Sequence, residues 1–160
     1  MKTPSENDMS ERVRRLFGKK PSRLQAAALP WREAKGGVEI MLITSRDTGR
    51  WVLPKGWPES AEELWDVAAR EAVEEAGLSG TVSQCEAGRY RYAKMLSSGE
   101  EVPCEVLVFP LKVENVADKW KERRQRTRKW VMPAEAAAMV HEPDLGELIS
   151  AFGTNPPTYA

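Results

Sequence analysis

Apolar residues fall into short runs broken by glycine, proline and charge, and one stretch carries a clean helical period. Leu24–Leu29 is an apolar run bounded by Pro30 and reads as a buried strand. Val38, Ile40, Leu42 and Thr44 alternate with Glu39, Met41 and Ile43, the period of a second strand set between turns at Lys35-Gly36-Gly37 and Asp47–Gly49. Trp51–Leu53 is a short strand stopped by Pro54, which cannot donate to a ladder. Residues 61–76 predict a helix, with Trp65, Ala68, Ala69, Ala72, Val73 and Ala76 gathered on one side at about 100° per residue. Ser60 is placed as its N-cap, with Glu63 completing a capping box. Gly77 suits the left-handed position after the last turn.

Beyond that helix, Thr81–Tyr92 and Val102–Val113 read as two long strands joined around Ser97-Ser98-Gly99, and Trp130-Val131 as a final short strand. Pro133 suits the first turn of a helix reaching about Val140, and Asp144–Phe152 a last helix. Residues 1–22 lack apolar periodicity and read as a flexible arm, and 154–160 as a tail. That leaves 23–153 as one α/β domain with helices packed on a sheet. The order of the strands is not legible.

A chain of 160 residues suffices for one sizeable core. It holds no run of about 18 apolar residues, so no membrane partner is expected. The polar start has no apolar signal region, and with only Cys85 and Cys104 present the simplest location is the reducing cytoplasm. A disulfide between those two cysteines stays open. The formal net charge is zero, but the signs are segregated. Residues 59–75 carry seven acidic side chains and one basic, and residues 119–129 carry seven basic and one acidic, Glu122. An acidic cluster beside a basic one suits a metal site next to a polyanion site; two solvated surfaces are the plainer alternative.

The acidic cluster has specific chemistry. Glu71, Glu74 and Glu75 lie within four residues on a helix face other than the alanine-rich one, where like charges repel and a bound cation relieves the repulsion. Magnesium takes oxygen ligands, often one or two carboxylates plus substrate phosphates. Three glutamates supply two ligands and leave one beside an activated water. Gly56 lets the backbone turn a carbonyl toward the same ion, and Arg70 is placed to hold the cluster. Against this stands an exposed acidic helix with Arg70 in one surface pair, worth little.

Gly56, Glu62, Arg70, Glu71, Glu74, Glu75 and Gly77, followed by Leu78, occupy every fixed position of the Nudix box at its spacing, and the segment resembles that family closely. Ala72, at a position usually filled by a larger aliphatic residue, is a mild departure. The resemblance extends over most of residues 24–140 and implies the Nudix fold, an α/β/α sandwich around a mixed sheet. It also implies hydrolysis of a diphosphate linked to a second moiety, with Mg2+ or Mn2+ as cofactor. By resemblance, Glu71 and Glu75 are metal ligands, the Lys55 backbone carbonyl a third and Glu62 an outer one. Glu74 is the general base and Arg70 orients the glutamates.

Flanking segments resemble one branch, the diphosphoinositol polyphosphate phosphohydrolases, which also cleave diadenosine polyphosphates. These segments are Leu42–Arg46, Arg50–Gly56, Trp120 and Arg126–Trp130. The resemblance carries substrate contacts onto Thr44, Arg46 and Arg126, less directly Arg23, and Lys55 adds a cation beside the metal site. The expected partner is a small polyphosphorylated substrate, for which arginine offers bidentate contacts. No nucleic-acid recognition motif accompanies the basic run, so nucleic acid is not the expected partner. Trp57 reads as packing, with stacking on a base as the alternative. The competing functions are a nucleoside triphosphate house-cleaning or RNA 5′-end pyrophosphohydrolase and a non-catalytic phospho-ligand sensor.

Overall fold

The structure, a computed structural model, describes residues 23–156. The arm expected over 1–22 and residues 157–160 of the expected tail lie outside them. In chain order the elements are β1 (Arg23–Ala34), β2 (Gly37–Thr44), β3 (Trp51–Val52), β4 (Lys55–Gly56) and α1 (Leu64–Glu71), which runs on into one π turn (Ala72–Ala76). Then follow β5 (Leu78–Val82), β6 (Gly88–Met95), β7 (Glu101–Val116), β8 (Arg128–Val131), α2 (Pro133–Met139) and α3 (Pro143–Thr154).

The strands form one mixed sheet with the order β3-β2-β1-β7-β5; β4 pairs with β1, β6 with β7 and β8 with β2. β1 and β7 run parallel from Arg23↔Cys104 to Trp31↔Lys112, and the other strand pairs are antiparallel. Both faces are covered, which is why β1 and β2 read as nearly continuous apolar runs. On one face Ala26, Ala28, Met41 and Ile43 meet Val67, Ala68, Ala72 and Ala76 of α1 and its π turn. On the other, Ala27, Leu29, Trp31, Ile40 and Leu42 meet Ala136, Leu145, Ile149 and Phe152 of α2 and α3. This is the α/β/α sandwich that the resemblance implied.

Three local expectations give way. The first strand does not stop at Pro30 but continues to Ala34. Proline falls at a changeover, after the pairing with β4 at Ala26 and Ala27 and just before the β2 ladder starts at Trp31↔Ile40. The long strand expected over Thr81–Tyr92 is two strands, β5 and β6, laid along successive parts of β7. The break sits opposite Pro110, whose carbonyl accepts from the Ser83 N–H at 2.8 Å. A strand residue aims its N–H to the same side as its C=O, and proline has none to return. The helix begins at Leu64 rather than 61, with Glu63 as an N-cap that makes no side-chain bond. Ser60 is left-handed, with φ 55°, and is no cap. The nearby glutamate that does bind backbone is Glu62, which accepts from the Glu59 N–H at 2.8 Å.

Candidate active site

The π turn keeps Ala72 and Ala76 on the sheet while its glutamates face away from it. Gly77, with φ 67°, closes it by donating to the carbonyls of Ala72 and Val73, the first of these the wide i→i+5 bond. Trp120 braces the turn from outside, its indole N–H donating to the Glu75 carbonyl at 3.0 Å. The result buries Glu71 and Glu75 and leaves Glu74 at the edge.

Glu71 and Glu75 line a cavity of about 480 Å³ together with Lys55, Gly56, Trp57, Arg46, Arg126 and Glu122. Glu75 accepts from the Lys55 N–H at 2.8 Å through one oxygen and from Arg126 at 2.6 Å through the other. Arg126 also donates to Glu122 at 3.1 Å and to the Thr44 carbonyl at 3.0 Å. Arg70 grips Glu62 with two bonds, at 3.0 and 2.9 Å, donates to Glu71 at 2.7 Å and reaches the Trp57 carbonyl at 3.1 Å. Gly56 matters by its lack of a side chain: a Cβ there would overlap the Glu71 carboxylate and stand 2.9 Å from its Cγ.

Burial, then the nearby charge of Glu75, pushes the Glu71 carboxyl up to about 7. Burial likewise raises Glu75, against the pull of Arg126 and the Lys55 N–H. Lys55 is lowered, chiefly by burial. Arg70 holds Glu62 below the ordinary carboxylate range by hydrogen bonding. Two desolvated carboxylates in one cavity have a standing demand for positive charge.

The hard oxygens of Glu71 and Glu75 fit magnesium or manganese, which need only one or two carboxylates once substrate phosphates bind. Among the described residues no three acidic, histidine or cysteine side chains converge as a closed metal cluster. Arg126 occupies one Glu75 oxygen, and an ion using that oxygen has to displace it.

The structure brings Glu71, Glu75, Lys55, Gly56, Arg46 and Arg126 into one cavity wall. Glu62 and Arg70 stand behind it as support. Glu74, expected as the base, is turned outward, 3.8 Å from Arg70 and 3.9 Å from Lys121. Thr44 spends its hydroxyl on the Thr127 N–H at 2.9 Å and its carbonyl on Arg126, so it shapes the loop rather than the wall. Arg23, at the first position of β1, is exposed and outside the lining. The basic run divides: Arg126 faces inward, Arg128 lies over the Trp120 ring at 3.9 Å, and Lys119, Lys121, Arg123 and Arg124 remain exposed. Sequence reasoning missed Glu122, Gln25 and Lys94 as lining residues. Gln25 was detectable as the one polar residue inside Leu24–Leu29, and Lys94 by its period-two relation to Tyr90 and Tyr92.

A mixed sheet covered on both faces, with a glutamate-bearing helix end opening on an arginine-lined cavity, is an arrangement suited to a phosphate-bearing ligand. The chain belongs to the Nudix family: the NUDIX domain matches residues 21–152. Nudix hydrolase 12, mitochondrial, of Arabidopsis thaliana is 31% identical over 130 residues, covering 71% of this chain and 64% of that protein. Nudix hydrolase 16, mitochondrial, of the same plant is 31% identical over 135 residues, covering 76% and 74%. Human diphosphoinositol polyphosphate phosphohydrolase 3-alpha is 25% identical over 133 residues, covering 81% and 77%. The chain spans about two thirds of the first plant relatives, 64% and 66%. In fold it is similar to a C. elegans Ap4A hydrolase binary complex, TM-score 0.62 at 20% identity, covering 82% and 96%. It is also similar to the NUDIX domain of Shewanella oneidensis NrtR complexed with ADP ribose, TM-score 0.61 at 15% identity, covering 94% and 98%. Among the described residues no helix is long and apolar enough to cross a membrane.

Proposed function

We propose that this chain is a divalent-metal-dependent pyrophosphohydrolase acting on diphosphoinositol polyphosphates, diadenosine polyphosphates or both. The observation that carries the reading is the shared cavity of Glu71 and Glu75 with Arg46, Arg126 and Lys55. Carboxylates there would hold Mg2+ or Mn2+, and cations beside them suit a substrate with several phosphates. When bound, the ion polarises a phosphoryl oxygen and eases formation of a hydroxide nucleophile.

The chain's own residues supply the rest. Arg70 fixes Glu71 through a short ion pair, and the Lys55 N–H fixes Glu75. Arg126, on leaving Glu75, is free to grip a phosphate with its planar fork. Arg46, half exposed at the mouth, meets the same substrate from the β2–β3 loop. The base named by the resemblance is Glu74, at the edge of the site beside Arg70, while Glu71 inside the cavity is a metal ligand. Glu74→Gln and Glu71→Gln, compared by pH–rate profile, separate the two roles.

A second reading, a substrate carrying a nucleoside such as ADP-ribose, is favoured by the presence of Trp57 in the lining of the same cavity. The test is hydrolysis across diphosphoinositol polyphosphate, diadenosine tetraphosphate, ADP-ribose, nucleoside triphosphates and sugar nucleotides, with magnesium and with EDTA. Turnover of the first two that EDTA abolishes supports the proposal. Turnover confined to sugar nucleotides or triphosphates overturns it. A cytoplasmic location is part of this proposal, supported by two free cysteines, Cys85 exposed and Cys104 buried.

A further inference from the structure

The segment from Ala117 to Arg128 holds the end of the glutamate-bearing turn by its backbone. Gly77 closes the π turn on Ala72 and Val73, and the four carbonyls beyond, of Glu74, Glu75, Ala76 and Gly77, are the orphans that a helix end leaves. One segment takes all four. The Glu122 N–H donates to the Glu74 carbonyl at 3.1 Å and the Ala117 N–H to that of Gly77 at 2.8 Å. Between them, the Trp120 indole N–H donates to Glu75 at 3.0 Å and the Arg128 guanidinium to Ala76 at 2.8 Å. Arg128 also donates to the Ala117 carbonyl at 2.6 Å, so it ties the segment to itself as well as to the turn.

This arrangement answers an electrostatic difficulty. The carbonyls at a helix C-terminus carry the negative end of the helix dipole, where acidic side chains are unfavourable. Glu74 and Glu75 lie there, and the turn has no basic residue of its own. Arg128 brings a full positive charge to it and Trp120 an N–H. Glu71 belongs to the α-helical part and Glu75 to the π turn, so the relation of the two carboxylates depends on the register of that turn. A single π turn inside an α-helix is uncommon and needs outside support. Neither Trp120 nor Arg128 lines the cavity.

We propose that Trp120 and Arg128 are positioning residues of the metal site: from behind the cavity they hold the π turn in the register that keeps Glu75 beside Glu71. The proposal rests on the reading of those two glutamates as the ligands of a divalent ion.

The test uses the full chain with Mn2+ alone as probe, free ion being counted by its electron paramagnetic resonance signal. Trp120→Phe keeps a ring beside Arg128 and removes the N–H. Arg128→Lys keeps the charge and removes the fork that reaches two carbonyls. Each should weaken Mn2+ binding at least about tenfold, the scale of losing a group that orients a metal ligand. Lys119→Gln, the loss of an exposed cation on the same segment, should leave binding unchanged. On the panel substrate that wild type hydrolyses fastest, both variants should lower kcat about tenfold and move KM less than twofold. Weakened Mn2+ binding in either folded variant sustains the role for that residue. Wild-type affinity in both overturns it, whatever their melting temperatures, because a merely structural brace would change stability alone. A wild-type chain that binds no Mn2+ overturns the ligand reading and the proposal with it. Weakened binding in the variants of a chain that binds Mn2+ but hydrolyses nothing on the panel sustains the positioning role and sinks only the hydrolase reading.

Discussion

Arg126 closes on Glu75 at 2.6 Å, with both side chains less than a tenth exposed and the two residues 51 positions apart in sequence. The pair joins the basic segment to the carboxylate turn. It gives the site a charge balance before any cation arrives. Removing one partner of a buried pair leaves the other uncompensated, at a cost of about 3 kcal/mol. Arg126→Ala should therefore lower unfolding stability by about that much, as read by denaturant titration. Magnesium should then raise the melting temperature of this variant more than that of wild type, because the ion takes over the lost charge. Equal magnesium shifts in the two would contradict the account.

Glu71 predicts a pH dependence. Its carboxyl is raised from 4.5 to about 7, so the folded state holds a proton that the unfolded chain releases. The stability it contributes is fully present below about 4.5 and is lost as pH rises through about 7. Metal-free wild type should thus lose roughly 2–3 kcal/mol relative to Glu71→Gln across that window, with part of the titration shared with Glu75. Melts of both proteins at pH 4 and pH 8 in EDTA check this. Glu71→Gln should be the more stable at pH 8 and inactive, and a constant difference between the two would refute the assignment.

Gly56 separates activity from stability. An added methyl collides with the far end of the Glu71 side chain, not with backbone. Glu71 can move aside cheaply, but then it leaves its place opposite Arg70. Gly56→Ala should fold, losing about 1–2 kcal/mol by overpacking, while kcat/KM falls at least about a hundredfold, in line with a misplaced catalytic group. Circular dichroism melts beside steady-state kinetics would show the split; near wild-type turnover would remove Glu71 from the site.

Arg70 should not tolerate lysine. Its guanidinium meets Glu62, Glu71 and the Trp57 carbonyl at once, and an ammonium cannot reproduce that fork. Arg70→Lys is expected to reduce kcat by at least about tenfold with a smaller change in KM, because the residue positions Glu71 rather than binding substrate. A pure KM effect would place Arg70 in contact with substrate instead.

The chain itself determined the features that depend on residues near one another. The box from Gly56 to Gly77 was legible because a helix turns fixed spacing into shared faces: alanines on the sheet, glutamates off it. Gly77 took the left-handed conformation read from its place after the helix. Local reading failed where a distant group outcompeted a near one. Ser60 lost the cap as Arg70 drew Glu62 across the start of the helix, and the π turn rotated Glu74 toward Lys121. Strand limits failed at Pro30 and Pro110 because a proline ends a ladder only when a partner sits on its donor side, and that is a matter of topology. Tertiary structure alone decided which of seven cations in residues 119–129 faces inward, and that Gln25 and Lys94 share a wall with Lys55. Spacing along one element carries the chemistry of the glutamates. The side chains that surround those glutamates come from β1, β4, β6 and the loop before β8, which have no proximity until the sheet has formed.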